Sequence, residues 1–125
     1  MKDTNERLYS TYHLWLKEIE ECKFKIGITN YILDDMLSFE SINLIEIGAQ
    51  LREGDVFGTL ENSDTVYELT MPVDGEIIDV NFQIESNLDE LEKDPLNSWL
   101  IKVKLADEYQ IYELLNEKEY GEFVL

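Results

Sequence analysis

The chain has 125 residues, of which 44% are hydrophobic and 11% aromatic, enough to build one globular core without staples. Its 28 acidic residues against 10 basic ones give a net charge of −18, which repels phosphate backbones and anionic lipid surfaces and so argues against nucleic-acid and membrane partners. A single cysteine, Cys22, excludes an internal disulfide, and a single histidine, His13, leaves too few ligands for a tetrahedral zinc site.

The opening stretch lacks the apolar h-region of a signal peptide, no run of about 18 apolar residues marks a membrane span, and the expected location is the cytoplasm. Lys23 to Ile28 alternates polar and apolar side chains and reads as a half-buried strand. A short helix is expected near 29–38, with Thr29 as its N-cap and Tyr31, Ile32, Met36 and Leu37 near helical spacing. Strands follow on either side of turns at Gly48 and at Glu53-Gly54-Asp55, and Ser63, Asp64 and Thr65 form the tip between two further strands. Asp74-Gly75 marks another turn. The next strand would place Ile78, Val80 and Phe82 on one face, with Asp79 and Asn81 on the other. The acidic stretch around Pro95 reads as an irregular loop. Beyond it Trp99, Ile101, Val103 and Leu105 alternate with the outward Lys102 and Lys104, which makes Trp99 a core residue. A C-terminal helix is expected near 107–120, capped by Asp107.

Short strands with turns at this spacing favour a sandwich or barrel over a βαβ arrangement. The Gly/Asp turns at 53–56 and 73–77 flank the 63–65 tip from either side and hint at an internal repeat. Charge is uneven along the chain. Residues 26–92 carry sixteen Asp and Glu against Arg52 alone, with no lysine, a pattern suited to a solvated face or to steering toward a basic partner.

Sites for chemistry are scarce. The sequence has no GxSxG, no P-loop, no GxGxxG and no HExxH, and its acidic stretch lacks the EF-hand glycine. His13 stands nine residues before Cys22, and two such residues alone define no nucleophile, so Cys22 is read as a structural thiol and His13 and Trp15 as structural residues. Gly27, Gly54 and Gly75 are read as turn glycines, and Tyr109, Tyr112 and Tyr120 as packing residues of the last helix or a sticky surface on it.

Four motifs in order nevertheless resemble one family. "YSTYHLW" (Tyr9, His13, Trp15) is similar to the opening Y-S/T-x-x-H-x-W of the H protein of the glycine cleavage system, and "IGITNY" from Ile26 to Tyr31 to its V-G-I-T-x-Y. "MPVDGE" from Met71 to Glu76 is similar to A-P-V-x-G-E. "DP", Asp94-Pro95, followed by "WLIKV" from Trp99, is similar to D-P with G-W-L/F-x-K/R-I/V, one residue shorter between Pro and Trp.

The resemblance runs along nearly the whole chain, so residues 1–125 are expected to be one H-protein-like domain. It implies a mainly β lipoyl-domain hammerhead, a flattened barrel-sandwich of two small antiparallel sheets. It also implies a non-catalytic carrier whose hairpin lysine holds lipoate by an amide and visits glycine decarboxylase, aminomethyltransferase and dihydrolipoyl dehydrogenase in turn. The family's tip begins E-S-V-K-A. Laid over Glu61 onward without gaps, its lysine falls on Asp64, and no lysine lies between Lys25 and Lys93. The resemblance therefore implies a family member without lipoate, its partners being proteins that recognise H protein: the aminomethyltransferase, the decarboxylase or a lipoate-attachment enzyme. A structural or unusually modified carrier subunit, or a decayed paralogue, is the alternative.

Overall fold

The computed structural model describes residues 5–125; residues 1–4, part of the opening stretch read for a signal peptide, lie outside them. Nine strands alternate with short helices: β1 (Leu8–Tyr9), β2 (Leu14–Glu20), β3 (Lys23–Ile28), α1 (Asn30–Met36), β4 (Ser41–Leu44), β5 (Gln50–Leu51), β6 (Val56–Glu61), β7 (Val66–Thr70), β8 (Gly75–Val80), α2 (Leu88–Lys93), β9 (Ile101–Leu105) and α3 (Glu117–Phe123). Every strand pairing is antiparallel. The larger sheet runs β1-β2-β3-β9-β8-β5 and the smaller β4-β6-β7; both are open, so the molecule is a two-sheet sandwich and no strand order closes into a barrel. Among the described residues no helix is long and apolar enough to cross a membrane.

The main core collects the apolar face of each strand. Leu16, Phe24, Ile26, Phe57, Leu60, Leu69, Ile77 and Val103 are all essentially inaccessible to water. In β3 and β9 the alternation read from sequence is the one observed: Phe24 pairs with Val103 and Ile26 with Ile101, while Lys25 faces Lys102 on the outer side. A second, smaller cluster forms around Tyr9, Trp15 and Tyr120.

Several local expectations are corrected. A bulge between Ile77 and Asp79 shifts the alternation of β8, so Ile77 and Val80 point inward, Ile78 is half-buried and Phe82 is exposed. Trp99 is only half-buried. Strand pairing becomes regular at Ile101, and Leu100 takes the buried place while the Trp99 ring packs on the smaller cluster with Lys102 Nζ 4.6 Å from its centroid. The stretch read as a loop holds 3-10 turns at Phe82–Ser86 and Pro95–Asn97 with α2 between them. Ile84 and Leu91 tie it to the core, and Asp89, Glu90 and Lys93 match the dipole of α2.

The C-terminal helix is divided into a 3-10 stretch, Glu108–Glu113, and α3. Leu115 interrupts it by bridging Tyr9 through two backbone hydrogen bonds of 2.7 and 2.8 Å, and Asn116 with Glu119 then forms a capping box that starts α3 afresh. Asp107 does cap the 3-10 stretch, accepting from the Tyr109 amide. Tyr109 and Tyr112 lie exposed and stacked on each other, whereas Tyr120 is buried against Tyr9.

The glycine readings divide. Gly48 and Gly54 turn the chain at φ +96°, but Gly27 and Gly75 lie in strands. A Cβ on Gly27 would sit 2.5 Å from the Trp15 ring, and one on Gly75 would sit 2.7 Å from the Lys104 carbonyl oxygen, so both are required by close approach. The two Gly/Asp turns flanking the hairpin meet each other. Gly54 donates to the Met71 carbonyl, Met71 to that of Asp55, and the Asp74 carboxylate accepts from the Glu53 amide.

Candidate functional site

The hairpin of β6 and β7 projects from the smaller sheet, and Ser63, Asp64 and Thr65 are all exposed at its tip. Its strands are anchored by Leu60 and Leu69, fully buried, and its base is fixed by the paired Gly/Asp turns. The residue that organises the tip is Asn62, which the sequence reading passed over. Its Oδ1 accepts from the amides of Asp64 (2.9 Å) and Thr65 (2.8 Å), and its own amide closes the turn on the Thr65 carbonyl. Its Nδ2 donates to the carbonyls of Met36 and Ser38, both at 3.0 Å. One side chain thus shapes the turn and fastens it to the end of α1. Only the first half of this could be found by sequence, because asparagine two residues before a turn amide is an Asx-turn signal whereas the bond to α1 is long-range.

The Asp64 carboxylate stands in solvent. Its side chain makes no hydrogen bond or ion pair among those of the described residues, and its backbone amide is held by Asn62. An amine is needed to form a lipoyl amide, and a carboxylate at this place does not fit that group.

The other candidates gather elsewhere. Thr29 is buried ahead of α1, but its hydroxyl bonds the Tyr120 hydroxyl at 2.7 Å and does not cap the helix. His13 Nδ1 lies 2.9 Å from the same hydroxyl, and the His13 ring stacks on Tyr31 with centroids 3.7 Å apart. Burial holds the His13 imidazole below its ordinary pKa, partly offset by the Asp35 carboxylate, and burial raises that of Tyr120. These contacts hold the His13 side chain against Tyr31 of α1 and Tyr120 of α3. Trp15 is likewise buried, its indole N–H donating to the Pro95 carbonyl at 2.9 Å. Cys22, half-buried at the β2–β3 turn, has its Sγ 3.7 Å from a Glu108 carboxylate oxygen. Burial and then the negative charge of Glu108 push the thiol's pKa up, the opposite of what a nucleophile needs. His13 and Cys22 are not brought together.

An exposed hairpin tip on a rigid base, held out by two open antiparallel sheets, is the architecture of a lipoyl domain. The family model described as glycine cleavage H-protein matches residues 7–125. The chain is 37% identical to glycine cleavage system H protein 1 of Caldanaerobacter subterraneus subsp. tengcongensis, over 99% of its own length and 98% of that protein's. It is 36% identical to the glycine cleavage system H protein of Clostridioides difficile, over 96% of each. The crystal structure of a glycine cleavage system H protein from Mycobacterium marinum superposes with a TM-score of 0.81 at 25% identity, covering 97% of this chain and 98% of that one. The chain belongs to the glycine cleavage H-protein family.

Proposed function

We propose that this protein is an armless member of its family, a non-catalytic binding or regulatory homologue of the aminomethyl carrier. It would present the H-protein surface to proteins that recognise it, among them the aminomethyltransferase, glycine decarboxylase or a lipoate-attachment enzyme, without carrying lipoate itself. One observation carries this reading: the exposed tip that would display the arm holds Asp64, and residues 26–92 contain no lysine that a shift of register could bring there. Lipoylation forms an amide between a lysine Nζ and the activated carboxyl of lipoate; an aspartate side chain has no nitrogen to acylate. The scaffold motifs persist around a tip that has lost its nucleophile, as expected of a domain kept for its shape. The acidic surface favours basic docking faces.

Intact mass spectrometry tests this after incubation with a lipoate-attachment enzyme, ATP and lipoate. The wild-type mass is expected to stay unchanged, and Asp64→Lys to gain one lipoyl group. A lipoyl gain on the wild-type chain overturns the reading and directs peptide mapping to Lys25 and Lys93. Failure of Asp64→Lys to accept lipoate while keeping its fold would show that attachment-enzyme recognition has been lost as well, narrowing the partners to the two glycine cleavage enzymes.

A further inference from the structure

Three non-glycine residues among those described have positive φ: His13, Cys22 and Leu37. His13 is held by the Tyr120 hydroxyl and the Tyr31 ring, and Cys22 sits in the tight β2–β3 turn. Leu37 is different. It ends α1 at φ 72° and ψ −35°, with its amide bonded to the Leu33 carbonyl at 2.7 Å, and its side chain is 79% exposed. A leucine in this region of backbone space is strained, because its Cβ crowds the adjacent carbonyl, and one this exposed returns little core packing for the strain.

The strain is also held in place. Met36 and Phe39 on either side are buried, and the carbonyls immediately before and after Leu37 are the two that accept from Asn62 Nδ2. The hairpin tip and the end of α1 are therefore a single platform from which an apolar side chain projects. Asp34, Asp35 and Glu40, all exposed, lie within three residues of Leu37 along the chain, the exposed Asp64 lies on the tip that Asn62 fastens to this segment, and the half-buried Glu61 accepts the Glu40 amide on its carbonyl. No lysine or arginine occurs in residues 30–51 or 53–70.

We infer that Leu37 is the apolar anchor of a protein-docking surface made by the end of α1 and the tip of the β6–β7 hairpin, and that its occupant is an apolar pocket rimmed by lysine or arginine on a partner protein. The excess of exposed carboxylates on these two segments, with no lysine or arginine among them, selects the occupant. A second copy of this chain would bring like charge against it, and an anionic membrane would be repelled, whereas a basic rim gains attraction as the leucine is desolvated. This inference rests on the reading of the protein as a docking homologue and says where the docking occurs.

Two substitutions separate docking from folding. Leu37→Gly removes the anchor and relieves the backbone, so the fold is expected to melt about 2–4 °C higher. The same change should weaken binding to purified glycine decarboxylase or aminomethyltransferase by about tenfold to a hundredfold, the range expected for losing one buried leucine. Leu37→Ala keeps a Cβ at positive φ, so it should weaken binding similarly without the gain in melting temperature. Binding of the wild type should also weaken with added salt. If the wild type binds neither of these enzymes nor a lipoate-attachment enzyme in a calorimetric titration, the docking-homologue reading fails and this inference with it. If the wild type binds and Leu37→Gly binds equally well, only the assignment of the surface is overturned. That assignment also falls if Leu37→Gly lowers the melting temperature, or if sedimentation shows a wild-type dimer that Leu37→Gly dissociates.

Discussion

Gly27→Ala adds one methyl group at the most crowded point of the smaller cluster. The new Cβ would lie 2.5 Å from the Cε2 and Cζ2 atoms of Trp15 and 2.6 Å from its Nε1, whereas carbon atoms at rest in a core sit roughly 3.5–4 Å apart. The indole must retreat by about 1 Å. It has no free direction, being 2% exposed, bonded through its N–H to the Pro95 carbonyl and covered by the Arg7 guanidinium 5.3 Å from the ring. Overpacking costs about 1–3 kcal/mol, and stretching or breaking the buried N–H bond costs about 1–3 kcal/mol more. Alanine recovers about 0.5–1 kcal/mol through its lower freedom in the unfolded chain. The net expectation is a loss of about 1–5 kcal/mol, or roughly 3–25 °C in melting temperature for a domain of this size. Urea melts followed by far-UV circular dichroism would give the free energy, and near-UV spectra would report the displaced indole. Trp15→Phe in the same background should recover at least about 1 kcal/mol of the penalty, measured as the coupling term of a double-mutant cycle. A Gly27→Ala protein within about 0.5 kcal/mol of wild type, or a strictly additive cycle, would refute the close approach as the reason for this glycine.

Asn62→Ala removes two bonds accepted at the tip and two donated to α1, all partly exposed, and should cost about 1–2 kcal/mol with faster hydrogen exchange at the Asp64 and Thr65 amides. Asn62→Asp keeps the acceptor and loses the donor, so it should restore slow exchange at the tip while leaving the α1 tether broken; equal exchange in all three proteins would deny Asn62 its organising role. His13 has a folded-state pKa below its ordinary value, so the unfolded chain takes up its proton first as pH falls through about 6.5. The stability of wild type relative to His13→Gln should accordingly decline from that pH downward and be constant above it, a comparison in which the carboxylate contributions cancel. Parallel stability curves between pH 5 and 8 would count against a burial-dominated shift.

The parts of the fold that could be read from sequence are those whose cause is local. Lys23 to Ile28 and Ile101 to Leu105 alternate cleanly, and they pair in the observed register with the expected faces. The hairpin tip at Ser63 to Thr65 and the turns at Gly48 and Gly54 follow from turn chemistry within a few residues. What could not be read has distant causes. The division of the C-terminal helix depends on Leu115 meeting Tyr9, and the glycine at 27 depends on the Trp15 ring across the β2–β3 pair. The bulge at Ile78 reverses a face without leaving a sequence mark, and α2 looked like a loop because acids outnumber its few apolar anchors. The tip residues of the candidate site were legible, while its organiser Asn62 was not, since half of its bonds cross to α1.

The strand order of the larger sheet places β9 between β3 and β8, at its centre, although β9 is the last strand to be synthesised. A ribosome therefore makes both flanks of this sheet before the strand that joins them. Until Ile101–Leu105 emerges, β3 and β8 each lack the strand that joins them and offer an unpaired edge. A polypeptide ending short of residue 101 should accumulate as two unjoined half-sheets prone to aggregation, which makes late premature stops far more damaging than their position near the end of the message suggests.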